Sequence, residues 1–167
     1  LQYGVRRASM QDIADRAGMS RAALYLHYKN KADIFEALMG AYFATAAEAV
    51  AEALAAHADP SEALAAAFRA QVGDAAEGML HSPHAEELLS AKQGAIGATQ
   101  AEGYEGLVTI YADWLDRAAD AGRVRPLGSD AREVAATLIA ALDGLKSAPL
   151  DLAGYRLARD RLARMLG

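Results

Sequence analysis

Between positions 9 and 31 the apolar residues Ile13, Ala14, Ala17 and Leu24 recur at helical intervals on either side of a break at Gly18. The spacing predicts two short helices joined by a tight turn, with these four side chains forming a small shared core. Ser9 can cap the first helix through its hydroxyl, and Asp12, three residues on, can reciprocate. Gly18 supplies the backbone freedom that ends this helix, and Ser20 can cap the second. Ala14 is small enough to let the two helices approach, while Leu24 reaches back between them. This is the pattern of a helix-turn-helix, although an ordinary helical hairpin would share the periodicity.

Downstream the period stays helical. Asn30 and Asp33 read as cap and partner of a long helix from about Lys31 to Ala56. Its inner face would carry Ile34, Phe35, Leu38, Met39, Tyr42, Phe43, Ala46, Val50 and Leu54. Asp59-Pro60-Ser61-Glu62 starts another helix, with Leu64, Ala67, Phe68, Gln71 and Val72 inside, weakening between Gly73 and Gly78. Ser82-Pro83 restarts a short helix through Leu88 and Leu89. Gly94, Gly97 and Gly103 make residues 92–103 the expected least ordered stretch. A helix from about Tyr104 to Ala121 would present Leu107, Val108, Tyr111, Trp114, Leu115 and Ala118, and Gly122 would end it. Arg123 to Gly128, holding Pro126, reads as a loop.

Two helices close the chain. One runs from about Ser129 to Lys146 with Val134, Leu138, Ala141, Leu142 and Leu145 on one face; the other runs from about Leu152 to Leu166. In the latter Leu152, Tyr155, Ala158, Leu162 and Met165 share a face, and Arg156, Arg159, Arg161 and Arg164 lie mostly outside it. No strand pattern competes, so an all-α protein is expected, with about nine helices in its complete form.

Composition narrows the class. The chain has 167 residues, 53% of them hydrophobic and none cysteine. That excludes disulfides, thiol nucleophiles and cysteine-ligated metal. Sequence reading finds no run of about 18 apolar residues that would span a membrane, and no apolar segment follows Arg6 and Arg7 as a secretory signal would require. A cytoplasmic protein, with no membrane partner, is the simplest expectation. The net charge of −5 argues at first against nucleic acid. Its distribution does not. Residues 1–31 hold Arg6, Arg7, Arg16, Arg21, Lys29 and Lys31 against Asp12 and Asp15, a local +4 that leaves −9 for the remainder. A phosphate backbone senses the local field over a Debye length of about 8 Å, so the acidic body should face away from DNA.

The run Leu24-Tyr25-Leu26-His27-Tyr28-Lys29-Asn30-Lys31, entering a long helix at Ala32, resembles the signature of the TetR (tetracycline repressor-like) family of bacterial transcription regulators. Ile13-Ala14, Ala17-Gly18, Ser20, Leu24-Tyr25, Tyr28, and Lys31 followed by Asp33 and Ile34 carry the resemblance. It covers about the first fifth of the chain. The family begins with a helix that ends at an aromatic-glycine pair, which Tyr3-Gly4 resembles, so Leu1 to Arg7 reads as the tail of that helix, with a truncated or disordered start. The resemblance implies a helix-turn-helix DNA-binding domain over residues 1–46. It further implies a C-terminal helical ligand-binding and dimerisation domain over residues 47–167, with the last two helices forming a homodimer through a four-helix bundle. A palindromic double-stranded DNA operator and an unknown small-molecule effector are the partners so implied.

On DNA, Arg21 at the start of the second helix can pair bidentately with guanine. Ala22 and Ala23 can make only apolar contacts, for instance with a thymine methyl, and allow close backbone approach. Tyr25, His27 and Lys31 align with family positions that contact phosphates, and Ser9 does likewise at a helix N-terminus. Tyr28 aligns with a packing residue. In the body, Phe68, Gln71, Met79, Leu88, Tyr104, Tyr111, Trp114, Leu138 and Asp143 are candidate effector-lining residues, chosen for aromatic surface or for polar groups on apolar helices. All nine can equally be plain core. His81, His84, Glu86 and Glu87 lie close in sequence, but Pro83 separates the two histidines and no third is near, so a solvated helix start is expected rather than a metal site; no cofactor is expected. No nucleophile-base pair or convergent acids suggest an enzyme. The rival reading is a helical small-molecule carrier or sensor without operator binding.

Overall fold

The computed structural model describes residues 8–73, 98–124 and 130–165. Among these residues the chain forms seven helices and no strand: α1 (Met10–Arg16), α2 (Arg21–His27), α3 (Lys31–Ala56), α4 (Pro60–Val72), α5 (Ala98–Asp120), α6 (Ala131–Ser147) and α7 (Leu152–Arg164). The starts follow the caps. The side chains of Ser9, Ser20, Asn30, Asp59, Asp130 and Asp151 each accept a backbone N–H from the first turn of the helix they precede. Two helices end by the same device. Gly18 and Gly122 take φ of 68° and 66°. The next residue in each case, Met19 or Arg123, donates its N–H back to Ala14 O (3.0 Å) or Ala118 O (2.8 Å). This is the Schellman arrangement, which satisfies carbonyls left over at the helix end.

Burial divides into two apolar clusters. The smaller holds Met10, Ala14 and Leu24, with Ile13, Met19, Tyr28 and Ile34 packed on it. The larger gathers Phe43, Val50 and Leu54 of α3, Leu64 and Phe68 of α4, Leu107, Tyr111, Trp114 and Leu115 of α5, and Leu138 and Leu142 of α6. α3 lies against α4 and α5, α5 against α6, and α7 against both α4 and α6. α3 thus serves both clusters, through Ile34 at one end and Phe43 onward at the other. At about 1.5 Å per residue its 26 residues reach roughly 39 Å.

Several expectations change. Ala17 is exposed, because it is the C-cap of α1 and points past the helix end; Met10 and Met19 fill that part of the small core instead. Leu38 is 63% exposed rather than on the inner face. α3 is also long and apolar enough, by length and composition alone, to cross a membrane. Alanines account for much of that apolarity, and the buried Phe43, Ala46, Val50 and Leu54 join the packing with α4 and α5. Arg159 is 4% exposed, tucked with its guanidinium 5.8 Å over the Tyr155 ring and its Nε 3.2 Å from Asp160 Oδ1, not on the outer face of α7. Met165, assigned to the inner face, is exposed.

The largest change concerns residues 98–103, expected to be poorly ordered and found in the first turns of α5. The physical reason is Gly103. A Cβ there would stand 2.2 Å from Phe43 Cγ, so the missing side chain lets α5 close on α3 with the Phe43 ring against its backbone. The glycine serves packing rather than a break. Residues 1–7, the short helix expected at Ser82–Leu89, residues 92–97 and 125–128, and Leu166 lie outside the described residues.

Glycine substitutions test this packing. Gly103→Ala should lower the melting temperature, since forcing a methyl into a filled site costs about 1–3 kcal/mol, more than the helix propensity it gains. Gly106→Ala, one turn on with nothing within 4 Å of the new Cβ, should instead raise stability by about 0.5–1 kcal/mol. Thermal denaturation of both variants against the parent separates the two roles.

Candidate nucleic-acid interface

Leu24 sets the orientation of α2. It is buried on Ala14 and Met10, and at about 100° per residue this places Ala22 and Leu26 roughly 160° away, on the outermost ridge of the helix. Arg21 and Tyr25 flank the ridge on one side, with the Arg21 guanidinium carbon 5.5 Å over the Tyr25 ring. Ala23 and His27 flank it on the other. Tyr25 and His27 are exposed, whereas Tyr28 packs on the small core, as its alignment implied. Tyr25 is therefore a surface aromatic and Tyr28 a structural one.

The remaining expected contacts are already engaged within the fold. Ser9 Oγ accepts Asp12 N–H at 3.2 Å and lies 2.7 Å from Asp12 Oδ2, which also accepts Ser9 N–H at 2.7 Å. These bonds hold the Asp12 carboxyl below the usual carboxylate range. Lys31 Nζ donates to Ala8 O at 2.9 Å, tying the start of α3 to the residues before α1. Ala23 N–H donates to Ser20 Oγ at 3.1 Å. The structure thus brings Ser9, Arg21, Ala22, Ala23, Tyr25, His27 and Lys31 onto or beside one two-helix unit. Reading for donors and phosphate anchors passes over Leu26, which is 84% exposed. The available signal was its spacing: four residues beyond Ala22 and two beyond the inward Leu24.

Residues 1–38 match the family described as bacterial regulatory proteins, tetR family. Within the same region the chain is 47% identical over 36 residues to the HTH-type transcriptional regulator TtgR of Pseudomonas putida. The helix-turn-helix belongs to the tetR family. That alignment covers 22% of this chain and 17% of TtgR, so the matched stretch spans less than a fifth of the relative. Beyond the tetR-family segment the likeness is one of fold. The fatty acid degradation regulator FadR of Bacillus halodurans superposes with a TM-score of 0.71 at 18% identity, over 97% of this chain and 87% of that one. SmeT, the repressor of the Stenotrophomonas maltophilia multidrug efflux pump SmeDEF, gives 0.66 at 23%, over 99% and 83%. SmeT is also known as a complex with triclosan.

Behind the tetR-family helix-turn-helix, several candidate effector residues meet in the body. Tyr111 hydroxyl donates to Gln71 Oε1 at 2.9 Å, and Tyr42 hydroxyl donates to Gln71 O at 2.8 Å. The Phe68 and Tyr111 ring centres are 6.0 Å apart. Tyr104 hydroxyl donates to Asp143 Oδ1 at 2.9 Å, which also accepts Lys146 Nζ at 3.2 Å. Leu138 is buried in the same large cluster. Trp114 stands apart from the polar group. Its Nε1 donates to Leu54 O at 3.2 Å, and it lines a cleft of about 210 Å³ with His57, Ile110, Arg117 and Arg123 at the C-terminal ends of α3 and α5. Cations at that place complement the partial negative charge of two helix C-termini. Met79, Leu88, His81 and His84 lie outside the described residues.

The buried phenols give a pH-dependent signature. Burial, reinforced by Tyr104, Tyr155 and Asp143, pushes Tyr42 from 10.0 up to about 12, and burial holds Tyr111 well above the ordinary range. The folded state keeps these protons at a pH where the unfolded chain has released them. Their stabilisation is therefore complete below pH 10 and declines as pH rises toward about 12. Denaturant titrations across that window should show a falling unfolding free energy, with a shallower fall in Tyr42→Phe. Equal slopes in parent and variant would remove Tyr42 from the account.

Proposed function

We propose that the chain is a homodimeric DNA-binding transcriptional regulator, a repressor that a small-molecule effector releases from a palindromic operator. The observation that carries this reading is the tetR-family α1–turn–α2 unit with Arg21, Tyr25 and His27 exposed on α2. Residues 1–46 act as the DNA-binding domain and residues 47–167 as the effector-binding and dimerisation domain, joined through α3. Arg21 pairs with guanine, and Tyr25, His27, Lys31 and Ser9 hold phosphates, while Ala22 and Ala23 allow close approach. One such unit reads only a few base pairs, so two are needed for selectivity against a genome. Leu157 stands exposed on α7, with Leu150 just before the helix and Met165 at its C-cap, an apolar surface that suits a dimer built on the last two helices. A regulator of this kind works in the cytoplasm, without a membrane partner and without catalysis.

The body supplies the switch. An effector among Phe68, Gln71, Tyr104, Tyr111, Trp114, Leu138 and Asp143 acts only through better affinity for the DNA-incompetent geometry, by typically about 1–3 kcal/mol of coupling. SmeT, with the same fold, is a repressor known in complex with triclosan, which supports a small organic effector here.

Selection of binding sites from a randomised duplex pool tests the reading, with Arg21→Ala and Tyr25→Phe run beside the parent at two salt concentrations. A palindromic site should emerge and weaken with salt as phosphate counterions are released. Arg21→Ala should cost about 1–3 kcal/mol and relax one base position, whereas Tyr25→Phe should weaken binding without changing the preferred sequence. Equal weak binding by all three proteins, with no selected site, would sink the regulator and favour a small-molecule carrier.

A further inference from the structure

We infer that the outer ridge of α2, Ala22 and Leu26, reads the 5-methyl group of thymine, so that each operator half-site carries a thymine opposite Leu26. The inference rests on the DNA-binding reading above and names what that surface selects. Leu24 is fixed in the small core, which leaves Ala22 and Leu26 as the part of α2 farthest from the protein. Leu26 is 84% exposed there, the most exposed of the large apolar side chains among the described residues. The polar groups of α2 stand to the sides: Arg21 stacked on Tyr25 along one flank, His27 along the other. When α2 lies in a major groove, the ridge faces the base edges, Arg21 at the start of the helix reaches a guanine beside it, and Tyr25 and His27 face the phosphate walls.

A ridge without donors or acceptors discriminates by what it cannot satisfy. Guanine, adenine and cytosine present N7, O6, N6 and N4 groups along the groove floor, and covering them with Leu26 strips their water without replacing the hydrogen bonds. Thymine alone presents an apolar group there, and its methyl gains from contact with the leucine. Ala22, one turn earlier, adds a methyl of its own and lets the helix backbone come close. Charge favours DNA as the occupant over another apolar surface, since residues 8–31 carry Arg16, Arg21, Lys29 and Lys31 against Asp12 and Asp15.

The test uses the full chain and the operator selected from the randomised pool. Each thymine of a half-site is replaced in turn by deoxyuridine, which deletes the methyl and leaves every hydrogen-bonding group in place. At one position the substitution should weaken binding about fourfold per half-site, the value of one buried methyl. Leu26→Ala, at an exposed position that leaves the fold intact, should bind the parent operator more weakly and bind thymine and deoxyuridine versions equally. Leu26→Gln should shift the base selected at that position toward adenine. Three results would overturn the inference: no invariant thymine in the selected half-site, indifference of the parent protein to every deoxyuridine, or a deoxyuridine effect that persists in Leu26→Ala. Any of these leaves operator binding standing. Failure to select any site overturns both readings together.

Discussion

α1 and α2 have seven residues each, well under the ~12–15 at which an isolated helix becomes even marginally stable in water. The exposed surface of α2 therefore exists only because the rest of the fold holds it. Three kinds of contact do so. Ser9, Asp12 and Ser20 satisfy first-turn N–H groups, Gly18 and Met19 close the end of α1, and Ala14, Leu24 and Ile34 bury the inner faces. The last of these belongs to α3. Tethering a reading surface to one long helix makes its position a function of where that helix points.

α3 is in turn held by the body. Phe43 sits against the Gly103 backbone, and the edge-on rings of Tyr42 and Tyr104 lie 5.2 Å from it on either side. Thr99 hydroxyl donates to Glu36 at 3.0 Å, nearer the N-terminal end of the same pair of helices. α5 thus grips α3 over several turns, and the polar group around Gln71 and Asp143 borders the grip on its far side. A molecule that draws the Tyr104 ring away from Asp143 also disturbs its edge contact with Phe43. Close-packed contacts of this kind rearrange between discrete arrangements rather than bend, which is how a small displacement in a body becomes an altered spacing at a reading head.

What the sequence disclosed follows the range of the interactions involved. Caps, turns and helix spans were legible at Ser9, Gly18, Asn30 and Pro60 because each depends on residues within four positions. Lys31–Ala56 came out at the bounds expected, and the next helix starts at Pro60 as expected. Gly103 was misread because its reason lies sixty residues away in Phe43, and local propensity counts a glycine against a helix wherever it stands. Arg159 was misread for a related cause. Helical period assigns a side to a charge, but whether an aromatic ring and a carboxylate wait there is a tertiary matter. The candidate site divides the same way: exposure of Tyr25 and packing of Tyr28 on the small core followed from the motif, while the internal bond of Lys31 to Ala8 did not.

The overlooked Leu26 shows a limit of reading by residue chemistry. A search for DNA contacts looks for cations, amides and hydroxyls, and scores an exposed leucine as noise. On a surface already positioned by Leu24, the same leucine occupies the place where, on the DNA-binding reading, sequence is read, and its lack of hydrogen-bonding groups becomes information. Affinity and selectivity then come from different parts of a short helix. Contacts to phosphates gain from any backbone and so are sequence-blind, whereas an apolar ridge gains at one base and pays desolvation at the other three. A net charge of −9 over residues 32–167 against +4 for residues 1–31 biases any sequence-blind attraction toward the N-terminal segment that carries the ridge.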